Sequence, residues 1–62
     1  MSCIIMHIQK PWTVGMCFLP EGTLIEVFGL ETGLVSFNWE RLDGSSGGFV
    51  RHPLEDLLDH AA

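Results

Sequence analysis

"LVSFNWERLDGSSGGFVR", residues 34–51, decides the fold. In its first half Val35, Phe37 and Trp39 fall on one side of an extended chain and Ser36, Asn38 and Glu40 on the other. That period of two marks a half-buried strand with one wet face. The second half carries Asp-Gly and Gly-Gly pairs, which is turn chemistry, before "FVR" resumes as a short strand. "DGSSGG", residues 43–48, is therefore expected to be a mobile hairpin connection. It is not a phosphate cradle, because no GK[ST] follows it and the chain continues into a strand rather than a helix.

The same rhythm extends towards the N-terminus. "TLIEVF", residues 23–28, is a strand of β-branched and aromatic residues, and "GLETG", residues 29–33, is a hairpin loop. "PEG", residues 20–22, reads as a turn, and "TVGMCFLP", residues 13–20, as one short extended segment. The first strand is "SCIIMHIQ", residues 2–9, with Ile4, Met6 and Ile8 on the cleaner core face and Cys3, Ile5 and His7 opposite. After Arg51 the period changes. Leu54, Leu57 and Leu58 stand three and four apart, Pro53 suits a first helical position, and Glu55 and Asp56 suit the first turn. A helix of about two turns is unstable alone, so its leucines are expected to dock on the sheet.

Four or five short strands and a terminal helix describe a mainly β domain, a small antiparallel SH3-like barrel or strongly bent sheet spanning residues 1–62. At 62 residues the chain is one small domain burying only about 60% of its unfolded surface. Its apolar fraction of 47% is high for that size and leaves apolar surface over for a partner. Two cysteines make no secreted disulfide framework, and no signal peptide is evident, so a reduced cytoplasmic protein is expected. The apolar runs are far shorter than the roughly 20 residues of a membrane span.

The charge balance narrows the chemistry further. Eight carboxylates against Lys10, Arg41 and Arg51 give a net charge of −5, which disfavours nucleic acid because phosphate binding draws on Lys and Arg. Cys3, Cys17, His7, His52 and His60 are zinc-type ligands without a zinc-type spacing, so no metal or other cofactor is expected. Nothing in the order of the cysteines, histidines and carboxylates suggests a nucleophile beside a base, and no catalytic residue is assigned.

What remains is a non-enzymatic protein-interaction module, a cytoplasmic adaptor or regulator that binds a protein partner and self-associates as a homo-oligomer. The expected contacts are Ile4, Met6 and Ile8 on a first strand able to pair with another chain, Trp12 as an exposed ring, and the carboxylates Glu40, Glu55, Asp56 and Asp59 facing a basic partner. Two alternatives are a single-stranded nucleic-acid binder stacking bases on Trp12 or Trp39 beside Lys10, Arg41 and Arg51, and a metal-stabilised domain.

Overall fold

Tight turns fold the chain into an antiparallel meander. The computed structural model describes residues 3–62. Its elements are β1 (Ile4–His7), β2 (Trp12–Val14), β3 (Cys17–Leu19), β4 (Leu24–Glu31), β5 (Leu34–Glu40), β6 (Ser46–Pro53) and α1 (Leu54–Leu58). Four strands form one sheet in the order β1-β4-β5-β6, and β2 and β3 form a separate two-stranded sheet. The fold is thus mainly β with a short terminal helix, and no closed barrel forms among the described residues. Ser2, where the first strand was expected to begin, lies outside the described residues.

Two connections are tighter than the sequence suggests. "TVGMCFLP" is not one extended segment but a hairpin. Gly15 takes φ 61°, so the chain reverses over Gly15-Met16 and pairs Trp12 with Leu19 and Val14 with Cys17. "GLETG" contributes only its last two residues to a loop. Thr32 and Gly33 take φ 51° and 76°, as a primed two-residue turn requires, and Leu30 and Glu31 stay in the ladder opposite Val35 and Leu34.

The glycine-serine stretch corrects a third expectation. The turn closes within Arg41–Ser45, where the Arg41 N–H donates to the Ser45 carbonyl and the Gly44 N–H to that of Arg41. Asp43 Oδ1 accepts from the Ser45 N–H at 2.9 Å and from its hydroxyl at 2.6 Å. Residues 46–48 already belong to β6, with Gly47 opposite Trp39 and Gly48 opposite Asn38. The glycines serve close approach rather than mobility, since a β-carbon at Gly47 would stand 2.6 Å from Trp39 Cζ2.

Two bulges bend the sheet at one level. Phe28 is an extra residue between the pairs Val27–Phe37 and Gly29–Ser36. Across β5, Val50 and Arg51 stand in the space between the pairs Phe37–Phe49 and Val35–His52. Both irregularities therefore face Ser36, and its hydroxyl accepts the Arg51 N–H at 3.1 Å, with Arg51 held at φ 55°. Bulges increase local twist and bend their strands, so the sheet curls around the residue beside Ser36, Phe37.

Val35, Phe37 and Trp39 are buried, as the alternation of β5 implies. They share a core with Ile8, Trp12, Val14, Leu19, Ile25, Val27, Leu57 and Ala61. α1 is shorter than expected, with Pro53 at its N-cap, and only Leu57 is fully buried while Leu58 is exposed. Beyond α1 the chain turns back onto β1. His7 and Ala62 exchange both backbone hydrogen bonds, at 2.9 and 3.0 Å, and Ile8 bridges Ala61.

Two outcomes follow. Gly47→Val is expected to destabilise the domain by about 1–3 kcal/mol through overpacking against Trp39, measurable by urea unfolding, whereas a flexible loop would tolerate it. The Asp43 carboxyl is held below its ordinary pKa, first by the Ser45 hydroxyl and then by the Ser45 N–H, with Arg41 adding to the effect. A depressed folded-state pKa contributes stability that is present above the unfolded-state value and lost as pH falls through the folded one. Carboxyl NMR titration should therefore place Asp43 below the unfolded-chain value, and Ser45→Ala should move it upward.

Candidate interaction surface

The apolar stripe of α1 and the apolar face of β1 are too far apart to cover each other fully. Between them lies a groove of about 470 Å³. Ile4, Ile5 and Met6 line one side and Leu54, Leu57 and Leu58 the other. Val27, Leu30, Val35 and Ala62 complete it, so among the described residues no charged side chain lines it. Ile4 is 57% exposed and Leu58 54%. Large apolar side chains gathered in one exposed place form a candidate interaction surface, unlike the scattered apolar residues of an ordinary exterior.

The groove borders an open sheet edge. The reciprocal bonds between His7 and Ala62 show that odd-numbered residues of β1 turn their backbone away from β4, while Ile8 donates to Thr23 on the β4 side. Ile5 points its N–H and C=O the same way as His7. Among the described residues β1 has no strand partner there beyond the bridge at Ile8. The edge around Cys3–Ile5 carries no Lys or Pro and no bulge, the devices that usually keep such edges from pairing.

The expected contact residues divide sharply. Ile4 and Met6 line the groove, Glu55 is exposed on α1, and Asp59 is exposed at its C-cap. Glu40 is exposed on the outer sheet face, in a depression shared with Leu24, Glu26, Asn38 and Ser46. Ile8 is corrected from contact to core: it is 1% exposed because β4 and the C-terminal segment pack on either side of it.

Trp12 is likewise not an exposed ring, being 4% exposed. It stacks on Phe37 at 5.8 Å and on His60 at 5.1 Å and meets the His52 ring edge at 5.4 Å. Its place in β2 turns it inward, which its position beside Lys10-Pro11 did not reveal. Trp39 is buried too, so neither indole is on the surface where base stacking was expected.

Arg41 and Arg51 are already engaged. Arg41 lies 4.5 Å above the Trp39 ring and donates to the Phe18 carbonyl, the Ser45 hydroxyl and Cys17 Sγ. It thereby ties β3 to the end of β5. Arg51 pairs with Glu31 at 2.9 Å on an exposed face.

Sequence reasoning missed Ile5 and the three leucines as groove residues, and it missed a polar network behind α1. His52 Nε2 donates to Asp56 Oδ2 at 2.8 Å, and His60 Nδ1 donates to the Asp56 carbonyl at 2.8 Å. Both acceptors can only accept, which fixes the tautomer contacts of the two rings. The signal was present in the spacing, since His52, Asp56 and His60 stand four apart. Asp56, expected to face a partner, is thus half-buried and occupied. Chemically the network orients two imidazoles against Trp12, Phe37 and Phe49. Among the described residues no three His, Cys, Asp or Glu side chains are arranged to hold a metal ion, and no helix is long and apolar enough to cross a membrane.

Because Trp12 is a core residue, Trp12→Ala is expected to destabilise by about 3–5 kcal/mol and to lower thermal stability steeply, while Ile4→Ala changes the melting temperature little. Circular dichroism on both variants separates the two roles. Comparison with family models, with curated proteins and with solved structures finds no match to this chain.

Proposed function

We propose that the chain is a non-enzymatic protein-interaction module, an SH3-like small β-domain acting as a cytoplasmic adaptor or regulator, that binds an extended protein strand along β1. The observation that carries the reading is the groove between β1 and α1, placed directly beside a strand edge that, before His7, has no partner among the described residues. An added strand would gain backbone hydrogen bonds at Ile5 and Cys3 and bury its alternate side chains against Ile4, Met6 and Leu58.

The strand can come from a partner or from a second copy, and self-association is the homo-oligomeric form of the same reading. The SH3-like description is supported by the bridge of Ile8 to Ala61, which adds the C-terminal segment beside β1 and extends the order to Ala61-β1-β4-β5-β6. Two free thiols suit a reducing compartment. The ring-lined His52–Asp56–His60 network favours a structural role over a nucleophilic one.

Ile4→Asp combined with Leu58→Asp should leave the fold intact, because both positions are exposed. It is expected to abolish strand binding at this edge and any self-association detected by sedimentation at micromolar concentration. A wild-type chain that sediments as a monomer, and whose amide resonances at Cys3–Met6 and Leu54–Leu58 respond to no added β-strand peptide, overturns the proposal.

A further inference from the structure

The charges around the groove distinguish between the two sources of a strand. We infer that the occupant is an extended segment of a different protein, in which apolar residues alternate with lysine or arginine. This rests on the reading of the β1 edge as a strand-binding site.

The groove itself is uncharged, but its surroundings are acidic on both sides. Along α1, Glu55 and Asp59 are exposed and flank Leu58, which lies three residues from the one and next to the other. On the sheet, Glu26 stands directly across from Ile5 in the β1–β4 register. Among the described residues none of these three carboxylates forms a salt bridge, whereas Glu31, also a groove neighbour through Leu30, is matched by Arg51. Lys10 lies past the other end of β1, beside the His60 carbonyl, and Arg41 is bound to β3. Among the described residues no Lys or Arg pairs with these three carboxylates of the rim.

The alternation of a strand turns that charge pattern into a sequence preference. A strand laid on the β1 edge presents every second residue to the side of Ile4 and Met6, over the groove, and the intervening residues to the opposite, Glu26-bearing face, to which alternation sends the Ile5 side chain although that residue also borders the groove. The first set is required to be apolar. The second set lies two strand spacings from Glu26, about 9.6 Å, a gap that an extended Lys or Arg together with Glu spans across Ile5. Glu55 and Asp59 lie on the groove side with α1, so they act on the basic residues through the local negative potential rather than by direct pairing.

A second copy meets the first requirement and fails the second. Residues 1–9 contain no Lys or Arg, so β1 of another copy brings neither to the rim. It also brings a net charge of −5 towards another −5.

The test uses the full chain and three blocked heptapeptides of alternating sequence, Lys-Ile, Thr-Ile and Glu-Ile, titrated by amide NMR at low and at physiological salt. The expected result is that Lys-Ile shifts the amides of Cys3–Met6 and Leu54–Leu58, that Glu-Ile does not, and that Thr-Ile binds more weakly. Glu26→Gln, Glu55→Gln and Asp59→Asn should each weaken Lys-Ile binding by about threefold at low salt, with less effect as salt rises, while Ile4→Asp abolishes it. Each substitution is at a position that is not fully buried, and the unperturbed amide spectrum reports the fold.

Equal, salt-independent binding of Lys-Ile and Thr-Ile overturns the basic occupant and leaves the strand-binding reading standing. A peptide-free dimer that dissociates on Ile4→Asp also overturns it, in favour of a second copy. No shift with any peptide, in a chain that stays monomeric, removes both the inference and the reading beneath it.

Discussion

Ile8 is where the chain is held from both sides. Its N–H donates to Thr23 and its carbonyl accepts from Gly22, while the flanking residues His7 and Gln9 bond to Ala62 and His60. β4 and β5 are laddered on both edges within the main sheet, but at Ile8 the second partner is the C-terminal segment. This pairing couples the first strand, the Pro20–Thr23 turn and the C-terminal segment. The side chain of Ile8 fills the space enclosed by that pairing and is almost completely buried. The position of α1 follows, because the helix is suspended between β6, which ends at Pro53, and the segment fixed to His7. So does the groove, whose two walls are the part of β1 with no outer-edge partner among the described residues and the helix that the pairing at His7 and Ile8 keeps in place.

The aromatic centre depends on the same closure. Trp12 is covered by His60, and His60 is positioned by the helix carbonyl of Asp56 and by its own carbonyl, which accepts from Gln9 and Lys10. A ring from the first hairpin is thus buried by a residue from the last turn of chain. Such long-range dependence gives cooperativity to a fold whose core is small.

This explains which parts of the molecule were legible in the sequence. The face of β5 was, because alternation is a local pattern and Val35, Phe37 and Trp39 all meet the core. So was the shared face of Ile4, Met6 and Ile8, although only Ile8 is enclosed, since the Pro20–Thr23 turn and the C-terminal segment close over that end of the face and not over Ile4. The fate of Trp12 was not legible, because it is decided by His60. Nor were the two bulges opposite Ser36, which arise from pairing between strands rather than from any one strand's residues. Glycine was misleading for a physical reason. Its composition signals a turn, but at Gly47 the missing β-carbon makes room for an indole across the ladder.

The attachment of Ala62 has a practical side. Its backbone is locked to His7 and its side chain lines the groove, so any polypeptide continued from that residue emerges at the groove's mouth. A purification tag, a fluorescent fusion or a tethered ligand joined there starts within reach of the β1 edge at high effective concentration. A C-terminal linker is therefore either an obstruction or a delivery route, according to the side chains it carries.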